Sequence, residues 1–117
     1  MGTNYYAIKR KPSLYNTPLH IGKSSGGWMF LFHGYQDYHF DNEFYYDEAI
    51  NINSIEDWAK YLKNDNIVIL NEYDEEYTYE EFFKMVFYKQ LTGANNPDNF
   101  KNCANIDGFR FTYRDFG

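Results

Sequence analysis

The stretch LHIGKSSGGWMFLFH, residues 19–33, carries the clearest signal of secondary structure in the chain. Leu19–Lys23 and the unbroken apolar run Trp28–His33 are rich in β-forming residues, and each predicts a strand. Between them, Ser24–Gly27 reads SSGG, a composition typical of a tight turn. Because strands joined by a short turn pair antiparallel, the stretch predicts a β-hairpin whose second strand is buried on both faces.

Three more segments have the character of strands. Asn4–Lys9 reads NYYAIK without a breaker, and Ile67–Leu70 is short and β-branched. Gly108–Tyr113 alternates aromatic with polar residues, which is typical of a half-buried strand in an antiparallel sheet. The remaining segments are predicted to be loops over 10–18 and 94–106, and a loop with a short strand near 43–46 over residues 34–53.

Two segments have the capping signals and periodicity of helices. Ser54 is a good N-cap, with Asp57 three residues later, and Thr78 with Glu81 forms a capping box. Gly93 is expected to end the second helix. The apolar positions are Ile55, Trp58, Ala59 and Leu62 in the first helix, and Phe82, Phe83, Val86, Phe87 and Leu91 in the second. The sequence therefore predicts an α+β fold: a small antiparallel or mixed sheet of about five strands with two helices packed on one face.

Composition limits the class of protein. A chain of 117 residues has the length of a single domain, so residues 1–117 are expected to fold as one unit. Its 22% aromatic content argues against disorder. A single cysteine excludes an internal disulfide framework, and no apolar run is long enough for a membrane span. We expect a cytoplasmic protein with no membrane association.

Charge is segregated along the chain, within a net charge of −6. Residues 1–36 hold four basic residues and no acid, whereas residues 37–89 hold 14 acids and four bases. An acidic protein is a poor general nucleic-acid binder, so no direct nucleic-acid binding is expected. The acidic middle either solvates helix faces or meets a partner protein with a basic surface. The candidate partner-binding residues are Glu72, Asp74, Glu75, Glu76 and Glu80.

The segment Gly22–Ser25, GKSS, resembles the end of a phosphate-binding P-loop only superficially. Thr17 stands where that motif needs its first glycine, and a turn and strand follow instead of a helix. Lys23, two hydroxyls and glycine amides in a turn would still form an anion nest for a phosphate-bearing small molecule, with aromatic rings to stack on a base. A plain hairpin turn is the alternative. The candidate ligand-binding residues are Tyr5, Tyr6, His20, Gly22, Lys23, Ser24, Ser25 and Trp28.

The sequence contains no pattern that requires catalysis. No spacing ties Cys103 or a serine to a histidine base, and the histidines lack metal-ligand spacing, although His20 and His33 lie on paired strands. We predict no cofactor and no metal, and the chain is not expected to be an enzyme. Its many tyrosines favour an interface and are compatible with a homodimer, but an A·T-rich genome would also enrich tyrosine. The tyrosines that cannot all be buried in so small a chain are Tyr5, Tyr35, Tyr38, Tyr45, Tyr46, Tyr73, Tyr77 and Tyr79.

Two blocks, MGTNYY at residues 1–6 and HIGKSSGGW at residues 20–28, resemble a family of small uncharacterised bacteriophage and prophage proteins. The resemblance implies a phage source, no established activity, and a shared site on the first strand and the hairpin. Relatives often carry a Cys-x-x-Cys pair between the blocks; residues 10–18 have none, so the metal role that this pair implies is not carried over. The leading hypothesis is therefore a non-enzymatic accessory protein that binds and inhibits a host defence or regulatory protein. The alternative is a protein that sequesters a nucleotide signal.

Overall fold

The fold consists of nine strands and two helices in the part of the chain that the structure describes. A computed structural model describes residues 2–9, 18–38, 50–93, 103–106 and 108–113. The elements are β1 (Gly2–Lys9), β2 (Leu19–Ser25), β3 (Leu31–His33), β4 (Tyr35–Tyr38), β5 (Ile50–Ile52), α1 (Ile55–Leu62), β6 (Ile67–Asn71), β7 (Glu76–Tyr77), α2 (Tyr79–Thr92), β8 (Cys103–Ile106) and β9 (Phe109–Thr112).

The main sheet has seven strands in the order β7-β6-β1-β2-β3-β9-β8. It is a mixed sheet, because β3 and β9 run parallel while the other neighbours run antiparallel. The strands β4 and β5 pair separately as a two-stranded sheet. The predicted α+β class and the β2–β3 hairpin are confirmed, and the sheet has more strands than the five expected.

The core lies between the helices and one face of this sheet. Ala7 pairs with Leu19 on one side and Ile69 on the other, and all three side chains are buried. Paired residues share a face of a sheet, so these side chains mark the face that the helices cover. The helix residues in the same buried cluster are Trp58, Leu62, Phe82, Phe83 and Val86. Both helices therefore pack on one face, as predicted.

The opposite face, here called the back face, carries the alternate residues of the central strands. Tyr6 pairs with His20 and with Leu70, and Ile8 pairs with Val68. These five side chains are only half-buried.

The β2–β3 hairpin differs from its predicted boundaries. β2 continues through Ser24 and Ser25, which were predicted to be in the turn, because Thr3 and Gly2 of β1 pair with them. The turn is reduced to residues 26–27, where Gly27 has a φ of 81°. Residues 28–30 were predicted to belong to the next strand, but β3 begins only at Leu31 because Phe30 leaves the ladder to pack in the core.

Both helices begin at their predicted caps. The Ser54 hydroxyl accepts a hydrogen bond from the Asp57 amide at 3.2 Å, and the capping box of Thr78 and Glu81 is formed. The predicted apolar face of α2 was too broad, since Phe87 is 50% and Leu91 is 87% exposed. Phe82, Phe83 and Val86 fill the contact with the sheet, and residues 87 and 91 lie to one side of that contact.

Several strands fall where loops were predicted. β4 and β5 lie within residues 34–53, and β8 lies at the end of 94–106. β8 forms because Gly108, with a φ of 85°, reverses the chain into the antiparallel partner β9. The predictions for residues 10–17, 43–46 and 94–102 lie outside the described residues. Within the described ranges, no helix combines the length and the apolar character that crossing a bilayer requires.

β9 is more deeply buried than its alternating sequence predicted. Besides Phe111, the polar residues Arg110 and Thr112 are buried, because β9 lies inside the sheet between β3 and β8. The Arg110 guanidinium donates to the Met29 carbonyl oxygen at 2.8 Å and lies 5.0 Å from the Trp28 ring centre. The buried cation is thus held by a hydrogen bond and a cation–π contact.

Candidate functional site

Ser24 and Ser25, whose hydroxyls were predicted to lie in the turn of the anion nest, belong to the same strand as Gly22 and Lys23. Lys23 pairs with Asn4 of β1 and with Leu31 of β3, so this strand has neighbours on both sides. The Ser25 carbonyl oxygen accepts from the Lys89 ammonium at 2.7 Å and from the Trp28 amide at 3.2 Å. Backbone groups engaged in ladders are not arranged as the concave set of amides that defines a nest.

The aromatic residues proposed to stack on a ligand are not brought together. Tyr5 is buried, and its ring centre lies 5.7 Å from that of Phe30 and 5.6 Å from that of Phe82. Tyr6 lies on the back face, and half-buried Trp28 lies against Arg110. Tyr5 is therefore a core residue, and the other two rings occupy separate environments.

The buried Tyr5 phenol predicts a loss of stability at alkaline pH. Burial, the hydrogen bond with Tyr77 and the charge of Glu75 raise the pKa of Tyr5. A phenol whose pKa is higher in the folded state stabilises the fold while it is protonated, and this contribution is lost as the pH rises above about 10, the value in the unfolded chain. We expect the free energy of unfolding to fall there by up to about 1.4 kcal/mol per pH unit for this proton.

Urea unfolding followed over the alkaline range tests this expectation, with Tyr5→Phe as the variant. The slope of stability against pH should be smaller in Tyr5→Phe than in the wild type. Tyr113→Phe is the control, because burial and Asp57 also raise the pKa of Tyr113 but this residue is 41% exposed, against 6% for Tyr5. Equal slopes in the wild type and in Tyr5→Phe would contradict the assignment.

A hydrogen-bond network on the back face joins the two sequence blocks. The rings of Tyr6 and His20 stack with centres 5.1 Å apart. His20 Nε2 lies 3.0 Å from Asn4 Oδ1 and 3.1 Å from the Gly22 carbonyl oxygen. Both of these atoms are acceptors, so His20 Nε2 acts as the donor in these contacts. The Asn4 backbone amide and Nδ2 donate to Glu72 Oε1 at 2.7 and 3.3 Å, which connects the network to an acid proposed to bind a partner.

The acidic hairpin, defined as β6, β7 and their turn (residues 67–77), has an ordered tip. Buried Asn71 accepts from the amides of Tyr73 at 2.9 Å and Glu75 at 3.0 Å, and it donates to the Glu75 carboxylate at 2.6 Å. Asp74 adopts a left-handed conformation with a φ of 64°, which closes the turn. Tyr73 is left 67% exposed at the tip.

The predicted partner-binding acids are all exposed, and all of them except Glu75 border two depressions in the surface. Glu76 and Glu80 line a cleft of about 670 Å³ between the end of α1 and the start of α2, with Leu62 among its apolar residues. Glu72 and Asp74 line a second depression, called here the back-face groove, of about 300 Å³. The remaining lining residues of the groove are Tyr6, Ile8, Pro18, Leu70 and Asn71.

The histidines are placed in hydrogen-bonded and aromatic surroundings. His33 is buried, its Nδ1 lies 2.8 Å from the Gly34 carbonyl oxygen, and its ring stacks on Tyr35 at 4.2 Å. The rings of His20 and His33 approach to 5.9 Å, as their paired strands suggested. Among the residues that the structure describes, no three histidine, cysteine or carboxylate side chains form a group that could hold a metal ion.

Comparison of the chain with known protein families, curated proteins and solved structures gives no match. The resemblance to phage proteins therefore depends on the two sequence blocks alone. Sequence reasoning identified the acids through charge but missed Asn71, whose position before Glu72–Glu75 is a local Asx-turn signal. It also missed the link from Asn4 to Glu72, because the two residues are 68 positions apart in the sequence.

Proposed function

We propose that the chain is a non-enzymatic binding protein whose interface is the acidic hairpin and whose partner is a protein with a basic surface. The observation that carries the proposal is the 67% exposed Tyr73 at the tip of a turn that Asn71 holds in one conformation. On the basis of the phage resemblance, the partner is a protein of the host. Binding of this chain inhibits that host protein.

The hairpin combines two properties that favour association. Tyrosine is enriched among residues that dominate binding energy, because it adds a large contact area at a low cost in conformational entropy. The hydrogen bonds of Asn71 fix the tip before binding, so little further ordering is required. Around Tyr73, the exposed carboxylates of Asp74, Glu75 and Glu76 would attract a basic surface and accelerate encounter.

The phosphate-binding alternative receives less support from the same geometry. Its basic residue Lys23 lies in the ladder between β1 and β3, and its buried aromatic Tyr5 belongs to the core. The groove beside Tyr6 is lined by the carboxylates of Glu72 and Asp74, which would repel a phosphate.

The test is retention of a host protein by the tagged chain from nuclease-treated host lysate. Tyr73→Ala combined with Glu76→Lys should weaken binding at least tenfold, because it removes an anchoring ring and reverses a charge. Tyr88→Ala combined with Glu56→Lys is a matched control: Tyr88 is 65% exposed, and Glu56 is an exposed acid on α1. Retained binding in the control, with loss in the hairpin variant and weakening by added salt, supports the proposal. Equal retention by both variants, or no retained protein, contradicts it.

A further inference from the structure

We propose that the back-face groove binds one arginine side chain of the basic partner. The inference rests on the proposed function, and it assigns to the groove a ligand of defined chemistry. The groove adjoins the acidic hairpin, since Leu70, Asn71, Glu72 and Asp74 belong to both. A partner that covers Tyr73 therefore also reaches the groove.

The size and walls of the groove suit a single long side chain. Its volume of about 300 Å³ is at the lower end of the range of ligand sites in proteins. Ile8, Pro18 and Leu70 provide apolar walls, against which the methylene stem of a long cationic side chain can lie. Such a side chain buries its stem on apolar surface while its head reaches a polar rim.

The charged rim selects a cation. Glu72 and Asp74 both line the groove. Asn4 holds the Glu72 carboxylate through two donated hydrogen bonds, and the Glu72 amide donates back to the Asn4 carbonyl oxygen at 2.9 Å. Asp74 is fixed by its position in the turn, where its amide donates to the Asn71 carbonyl oxygen at 3.0 Å. One held carboxylate and a second acid at a fixed turn position, beside apolar walls, are complementary to a cationic head on an alkyl stem.

An aromatic ring in the same groove favours arginine over lysine. Tyr6 lines the groove, and its stacking on His20 holds the ring in place. A planar guanidinium stacks on aromatic rings and donates in a fork that matches carboxylates, whereas a lysine ammonium is a compact point charge. The groove therefore offers both types of contact that arginine uses.

The experiment is a titration of the full ¹⁵N-labelled chain with Nα-acetyl-arginine amide, followed by NMR. Saturable shifts are expected at the amides of Tyr6, Leu70 and Asp74. The lysine analogue should bind severalfold more weakly, and the neutral citrulline analogue should cause no saturable shift. Asp74→Asn should weaken arginine binding about three- to fivefold, as for loss of one exposed charge contact. Asp65→Asn, the same change at another exposed acid, should leave it unchanged.

Asp74→Asn is a suitable variant because asparagine tolerates the left-handed conformation that this position requires. Absent shifts, equal binding of the citrulline or lysine analogue, or equal affinity of Asp74→Asn and Asp65→Asn would overturn the assignment. A host partner lost by the Tyr73→Ala and Glu76→Lys variant but kept at full affinity by Asp74→Asn would overturn only the groove. The chain could also bind arginine in the groove but retain no host protein. That result would overturn the proposed function and leave the groove as a site for an arginine side chain.

Discussion

Replacing Trp58 by alanine is expected to lower the free energy of unfolding by about 3–5 kcal/mol, the usual cost of removing a large buried aromatic side chain. Trp58 is 0% exposed and belongs to the buried cluster that α1 shares with the sheet. Its indole Nε1 donates to the His33 carbonyl oxygen at 2.9 Å. Its ring also meets those of Tyr35 and Tyr61 edge-on, with centres 6.1 and 5.9 Å apart. Alanine would leave a cavity and remove the donor for a buried carbonyl.

Urea denaturation followed by circular dichroism measures this effect. A domain of this size has about 5–15 kcal/mol of stability, so the variant should lose a large part of the total. Tyr88→Ala is the matched control, because Tyr88 is an exposed aromatic residue on the other helix and its loss should cost no more than about 0.5 kcal/mol. If Trp58→Ala lowers the free energy of unfolding by no more than the control does, the packing of α1 on the sheet does not depend on Trp58.

The features that the sequence predicted best are those set by neighbouring residues. The helix starts at Ser54 and Thr78 were correct, because a cap is a bond between residues three positions apart. The turn at residues 26–27 was also placed in the right segment, since glycine tolerates the positive φ of Gly27. Local chemistry decides such features without any knowledge of the rest of the fold.

The features that were missed depend on contacts between distant segments. β7 is only two residues long and forms because Tyr77 pairs with Ile69 of β6. β9 pairs in parallel with β3, which buries Arg110 in a position that its alternating sequence assigned to solvent. Periodicity cannot indicate which strand will become a neighbour, so it cannot indicate burial on the second face.

In the candidate site too, the features set by neighbouring residues were predicted and those set by distant contacts were missed. Charge along the chain located the acids of the hairpin, and Asp74 and Glu76 are indeed exposed. The charge pattern could not locate the groove. Tyr6 and Ile8 of β1 lie beside Leu70 in the groove only because β1 pairs with β6 in the sheet. The two sequence blocks were predicted to form a ligand site. In the structure, their residues join β1 and β2 to the acidic hairpin.

That structural role has a consequence at Gly22 in the HIGKSS block. A Cβ at this position would collide with the Leu31 carbonyl oxygen and the Phe30 ring. The oxygen belongs to a strand whose register is fixed by the pair Gly22 and Phe32, and the ring is fully buried, so neither can withdraw without disturbing the sheet or the core. Glycine is thus required here by close packing of backbone and ring, independently of any ligand.

Gly22→Ala is therefore expected to lower the free energy of unfolding by about 1–3 kcal/mol, as overpacking of a filled core does. Gly26→Ala is the matched control from the same hairpin, because a Cβ there meets nothing within 4 Å and the stability should change little. Urea denaturation of both variants beside the wild type measures the difference. If Gly22→Ala is as stable as Gly26→Ala, the close approach to β3 is wrong, and the glycine of the block would need an explanation in ligand binding. A loss of stability confined to Gly22→Ala would mean that packing alone accounts for the glycine, so this residue of the block would give no support to a ligand site there.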